Sequence, residues 1–353
     1  MSAADEGEGA FPLPRENGLL FGHAEAETAL LEAYRSGRIP HAWLIGGESG
    51  VGKATLAYRM ARFVLAYPDP AMPEVRHATS LAVPPDHPVA RRIAGQAQAG
   101  LLVLERVANE KTGKLFTEIR VEDVRRTVPF FGLAAGGSGW RIAIVDAVED
   151  LNRSGENALL KVLEEPPPRA LLLLVSHAPG RVLPTIRSRC RMLMLRPLAA
   201  DDVARAVAGA TGADPEGDEI RAAAAASEGS VGRALALLEG DALELHRRVS
   251  ALLAGLPNLD PRALHALGDE IAGTEAATLA AFMDAVNAWL SARLDSGPRD
   301  TRNLAQVAEA WEYVNRAARD AETYNLDRKP LVFSVFEQLA AVAARGGEPH
   351  AAA

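Results

Sequence analysis

The sequence predicts an α/β domain with a parallel sheet, followed by a small three-helix domain and then a larger all-helical one. Three observations predict this. Up to about residue 198, apolar runs too continuous for a half-exposed sheet face alternate with helical patterns, the mark of strands covered on both sides. A strand, a glycine loop and an amphipathic helix follow one another between residues 42 and 66. From residue 199 onward the strand signals disappear.

Taken in order, residues 1–19 read as a flexible N-terminus, and 24–36 as a short helix. Ala42-Trp43-Leu44-Ile45 reads as a buried strand, and beyond the loop Leu56, Met60, Phe63 and Val64 recur on one helical face. Residues 68–88, rich in Pro, His and small side chains, read as irregular. Leu101-Leu102-Val103-Leu104 is a second core strand, and residues 118–129 a strand or turn leading into a helix stopped by Pro129. Ile142-Ala143-Ile144-Val145 ends in Asp146, and a helix from about Ser154 to Glu165 is broken by Pro166-Pro167-Pro168. Leu171 to Val175 forms another strand, ending at Ser176. The expected domains are 20–198, 199–245 with three short helices, and 246–345, wholly helical with breaks near Pro257–Pro261 and Ser296–Pro298; 346–353 is a flexible tail.

Composition bounds the function. The chain has 353 residues, 48% of them hydrophobic and 24% charged, with a formal net charge of −8. Overall acidity argues against a freestanding nucleic-acid-binding module, though a local patch is compatible with it. One cysteine, Cys190, excludes an intrachain disulfide framework and a multi-cysteine metal site, and the eight histidines are scattered singly, so no zinc is expected. The first 17 residues are acidic and lack the basic start and apolar run of a secretory signal, and no stretch approaches a membrane span; a cytoplasmic location is expected.

Gly47-Glu48-Ser49-Gly50-Val51-Gly52-Lys53-Ala54-Thr55 carries the phosphate-loop pattern with one residue altered. Glycine turns let backbone N–H groups face phosphates, and Lys53 is placed to reach the β and γ oxygens. Ala54 stands where a Ser or Thr hydroxyl would hold Mg²⁺, and Thr55 points about 100° away on the helix. Asp146 suits the metal-directed carboxylate at a strand end, but Ala147 replaces the glutamate that would polarise water. Glu149 and Asp150 read as solvated turn carboxylates. Negligible intrinsic ATP hydrolysis is expected, with ATP or ADP held, if at all, by the amides and Lys53 of a degenerate site.

Pro184-Thr185-Ile186-Arg187-Ser188-Arg189-Cys190-Arg191, with Arg181 upstream, is a basic spot in an acidic chain. The ordinary reading is surface arginines around a buried cysteine. The functional reading is that one guanidinium meets a phosphate, which its planar fork suits.

These motifs, with Ile39-Pro40-His41-Ala42 and Asn157-Ala158-Leu159-Leu160-Lys161-Val162-Leu163-Glu164-Glu165-Pro166-Pro167, resemble the delta-prime family of bacterial DNA polymerase III clamp-loader subunits, proteins of the AAA+ fold. The resemblance implies an AAA+ P-loop domain, a helical lid and a helical collar. It also implies assembly with gamma or tau ATPase subunits and delta, and work on a sliding clamp and primer-template DNA without a membrane. Arg189 then becomes an arginine finger acting in trans, in a scaffold subunit that requires no cofactor of its own.

Two departures from the family pattern matter. The four zinc-binding cysteines that many relatives carry in the region matching 66–100 are missing here, and Gly232 stands where active members place a nucleotide-contacting arginine, with Arg233 a surface residue. The aromatics Trp289, Trp311, Tyr313, Tyr324, Phe333 and Phe336 are expected to be mostly core of the last domain. An active gamma/tau-like ATPase is the main alternative, disfavoured by residues 54, 147 and 232. A small-molecule kinase explains neither the serine-arginine-cysteine turn nor the strand-free C-terminal portion.

Overall fold

The computed structural model describes residues 11–109, 113, 115–132, 139–272, 276–296, 301–324 and 326–345. Five parallel strands form the sheet: β1 (Ala42–Gly46), β2 (Leu101–Glu105), β3 (Arg141–Asp146), β4 (Ala170–Ser176) and β5 (Arg191–Met194), in the order β2-β3-β4-β1-β5. Side-chain alternation sends Trp43, Ile45, Ile144 and Leu173 into one buried cluster and Leu44, Val145, Leu172 and Leu174 into another. Both faces are thus covered, as continuous apolar strands require.

The helices of this part are α1 (Ala24–Arg35), α2 (Lys53–Ala66), α3 (Pro73–Arg76), α4 (Pro88–Ala94), α5 (Val121–Arg125), α6 (Thr127–Gly132), α7 (Arg153–Glu164), α8 (Pro184–Arg187), α9 (Ala200–Thr211), α10 (Asp218–Ala226) and α11 (Val231–Leu237). Asn152 caps α7, its Oδ1 accepting from the Gly155 amide at 3.0 Å. Two local expectations are corrected, and one strand was not foreseen. Pro129 does not stop a helix but sits in the first turn of α6, where its missing N–H has no intrahelical acceptor to lose. Residues 68–88 include the helical turn α3, and α4 follows directly, capped by the His87 ring accepting from the Val89 amide. Strand β5 was not expected from the sequence although Met192 to Leu195 is a short apolar run, and three of its four residues are exposed.

Two compact units divide between Leu235 and Ala236. The second contains α12 (Ala242–Ala254), α13 (Pro261–Ala272), α14 (Ala276–Ser296), α15 (Thr301–Thr323) and α16 (Arg328–Arg345). Its core is aliphatic around Phe282 and Phe336, whose ring centroids lie 6.2 Å apart. Of the six named aromatics, Phe336 is fully buried and Trp289, Trp311 and Phe333 pack against this core, while Tyr313 and Tyr324 are 41% and 70% exposed. Leucine, valine and alanine at helical spacing fill most of that core. The expected 346–353 tail lies outside the described residues.

Candidate functional site

The glycine loop, Asp146 and Ser176 all stand at the carboxyl ends of parallel strands, where open α/β sheets place ligand crevices. Gly50 and Gly52 have φ of 75° and 102°, a left-handed path that only glycine takes without strain. The turn feeds directly into α2, whose first residue is Lys53. Gly47, Val51, Ala54 and Thr55 complete the loop and the start of the helix, and Ala54 and Thr55 both line the adjoining cavity of about 330 Å³.

Lys53 does not extend into that crevice as an unengaged cation. It is 3% exposed, and its Nζ donates to the carbonyls of Gly47, at 2.8 Å, and Glu48. Burial pushes its pKa down to about 8, opposed by the charges of Asp146, Glu149 and Glu48. Burial likewise raises the Asp146 carboxyl, with His177 and Lys53 opposing and Glu149 and Asp150 reinforcing.

Glu149 is not the solvated carboxylate expected from the sequence. Its Oε1 accepts from the backbone amides of His177, at 2.6 Å, and Ala178, at 3.1 Å, so it ties the turn after β3 to the end of β4. A carboxylate has the lone pairs to take two amides, and these two are presented side by side just past the strand end. Asp150 pairs with Arg106 at 2.9 Å. Ser176, fully buried, also accepts from the Ala178 amide.

The start of α11 is laid directly on the loop. Ser230 Oγ donates to the Ser49 carbonyl at 2.9 Å, and the Gly232 amide donates to the Gly50 carbonyl at 3.1 Å. A Cβ at Gly232 would stand 3.0 Å from Gly50 Cα, and one at Gly50 would run into Ser230 Oγ and Gly232. The absence of a side chain at Gly232 thus allows two backbones to touch. From the other side, His23 Nε2 donates to the Val51 carbonyl at 2.7 Å, and burial lowers the pKa of its ring.

Residues 11–19, expected to be loose, are tied down where they pass over α2. Arg62 donates to the carbonyls of Arg15, at 2.9 Å, and Asn17, at 3.4 Å, and Arg59 to that of Gly18. Arg59 also pairs with Glu27 at 2.5 Å, with side-chain exposures of 7% and 13%. Pro12, Leu20 and Phe21 thereby form one apolar wall of the cavity, and Leu198, Val231 and Leu235 another. Position 54 offers no side-chain oxygen to a magnesium ion, Lys53 Nζ is engaged by carbonyls of its own loop, and α11 contacts that loop.

The serine-arginine-cysteine turn has the opposite character. Ser188 closes α8, its amide donating to the Pro184 carbonyl at 2.9 Å. Cys190 packs inward, and burial pushes its thiol up to about 12, so it is no nucleophile. Arg191 stacks over Trp43, its Cζ 5.1 Å from the ring centroid. Arg189 points out, with its Nη2 2.8 Å from Glu164 Oε1 and its Nη1 donating to the Thr185 carbonyl at 2.8 Å. Among the described residues, no group of three or more His, Cys, Asp or Glu could hold a metal ion, and no helix is long and apolar enough to cross a membrane.

The chain is 35% identical to the DNA polymerase III subunit delta' of Pseudomonas aeruginosa over 42% of its length and 41% of that protein's. It is 30% identical to the subunit delta' of Escherichia coli over 64% of its length and 62% of that protein's. The Escherichia coli subunit tau is 29% identical over 67% of this chain and 35% of its own length. The chain thus spans less than two thirds of each of these relatives. The loop, the Asp146 strand end and the serine-arginine-cysteine turn all fall within residues 22–199, which match the family described as DNA polymerase III, delta subunit. That match covers half of the chain, and the chain belongs to this family.

Proposed function

We propose that this chain is the delta-prime-type, non-motor subunit of a DNA polymerase III clamp loader. In this reading residues 20–198 are an AAA+ domain, 199–245 its lid and 246–345 a collar. The partners are gamma or tau and delta subunits, a sliding clamp and primer-template DNA, in the cytoplasm. The chain serves as scaffold and supplies Arg189 to the ATP of a neighbouring subunit. Its own loop is a degenerate nucleotide site with no hydrolytic role, and no zinc is involved.

The observation that carries this reading is the contrast between two cations. Lys53 is spent on its own loop's carbonyls, next to Ala54 and Ala147 in place of the metal and water-handling groups. Arg189 stands outside on a turn whose neighbours Arg187 and Arg191 keep the local charge positive. A guanidinium there can share its fork with phosphate oxygens as charge develops in phosphoryl transfer.

The test is reconstitution with partner subunits. Arg189→Ala is expected to assemble normally and to slow clamp-stimulated ATP turnover, and Arg189→Lys to restore it incompletely. Normal turnover by the Arg189→Ala complex would remove this reading. The similarity to tau supports a competing one, an ATP-hydrolysing subunit. Turnover by the isolated chain well above background, abolished by Lys53→Ala, would favour it.

A further inference from the structure

The two most distinctive sequence motifs, Leu-Glu-Glu-Pro-Pro at 163–167 and Ser-Arg-Cys at 188–190, meet in space through one ion pair, Glu164 to Arg189. We propose that Glu164 is a positioning residue for Arg189: with the Thr185 carbonyl it fixes the direction in which the guanidinium is offered to a neighbouring subunit's phosphate. This rests on the reading of Arg189 as a trans-acting arginine.

Three features carry the inference. Glu164 is the last residue of α7, where a carboxylate faces the negative end of the helix dipole and weakens rather than strengthens the helix. Its place there is not explained by helix stability. Second, the pair is open to solvent, with side-chain exposures of 35% for Arg189 and 51% for Glu164, so it adds little to folding. What it does supply is orientation.

The third feature is the pattern of contacts. Nη1 of Arg189 is held by the Thr185 carbonyl at 2.8 Å and by Ser188 Oγ at 3.4 Å, and Nη2 by Glu164 at 2.8 Å. A guanidinium has five N–H donors, and no acceptor for Nε–H is found among the described residues. The side chain is therefore anchored by part of its fork with donors remaining for an incoming phosphate. A long arginine held this way loses less rotamer freedom when it engages its target. Arg187 and Arg181 nearby keep the local field attractive to an anion despite the carboxylate.

The test uses Glu164→Gln, which keeps size and removes charge, with Glu164→Asp as a second variant, each in the full chain. In the isolated chain, the heteronuclear NOE of the Arg189 Nε–H should fall toward that of unrestrained arginines in Glu164→Gln. In the reconstituted complex, Glu164→Gln should lower kcat for ATP by about 10-fold with KM little changed, as expected when a transition-state contact is misaligned. Combining it with Arg189→Ala should add nothing further, and Glu164→Asp should recover part of the loss. If Arg189→Ala is slow but Glu164→Gln matches the wild type in NOE and turnover, the positioning role is overturned alone. Faster turnover by Glu164→Gln would overturn it too, since Glu164 would then be a restraint on the finger. Normal turnover by Arg189→Ala would remove the underlying reading as well.

Discussion

The glycine loop and the serine-arginine-cysteine turn each present a cation to a region suited to phosphate, and they treat it in opposite ways. Lys53 is almost fully buried, bonded to two carbonyls of its own loop, and shifted toward neutrality. Arg189 is partly exposed and bonded by only part of its fork. Burial explains the difference. An ammonium withdrawn from water must find acceptors at once, and the nearest are the loop carbonyls. A guanidinium on a surface turn retains donors for a partner. The two cations of this chain that sequence patterns associate with phosphate are thus in different bonding states.

Four substitutions would break or sharpen this contrast. The largest effect is expected at Arg189→Ala, which should slow single-turnover hydrolysis at the adjoining subunit's site by about 10³-fold, the low end of values for trans arginines. Rapid-quench measurement on the reconstituted complex checks it. Next is the pH dependence of Lys53. Its folded pKa of about 8 lies below the ordinary 10.5, so between these values the unfolded chain binds more protons. Relative to Lys53→Met, the wild type should thus gain stability as pH rises from about 8 to about 10.5, by up to about 3 kcal/mol. Denaturant midpoints of both proteins across that range measure it.

A smaller loss is expected at Gly232→Arg. The added Cβ meets the Gly50 backbone, and overpacking of this kind costs about 1–3 kcal/mol. Hydrogen exchange at residues 47–55 and 231–235 should rise in the same variant. Last, Glu164→Gln should change stability by less than about 1 kcal/mol, because an exposed ion pair contributes little. Thermal unfolding of the isolated chain distinguishes this from a structural role for the residue.

Much of the first unit was legible because its signals are local. The apolar runs at 42–45, 101–104, 142–145 and 171–175 lie within β1 to β4, and the asparagine at 152 caps the expected helix. Strand β5 escaped because its apolar run, Met192 to Leu195, is short and directly follows the arginine-rich turn; pairing with β1 holds it in the sheet. In the candidate site, residue types were readable but their partners were not. Glu149 looked solvated because its acceptors' partners, the amides of His177 and Ala178, come from another strand. The buried arginines Arg59 and Arg62 gave no signal either, since their targets are mostly backbone carbonyls of a segment about 45 residues earlier by their spacing in the chain. In the second unit four of the six named aromatics join or flank the core, and only the tyrosines at 313 and 324 stand outside it, since helical period alone does not say which large side chain the core selects.

The contact between Gly50 and Gly232 also bears on how such a subunit can evolve. With the two backbones touching, even the first side-chain carbon of an arginine at 232 would press on Gly50 Cα. An arginine there requires the two backbones to move apart by a few tenths of an ångström, which loads the bonds that Ser230 and the Gly232 amide make to the loop. A hydroxyl at 54 needs one codon change, whereas a side chain at 232 also needs this contact to relax. On the proposed non-motor reading, the packing of α11 on the loop would itself resist a return to ATP chemistry, apart from any selection on the activity.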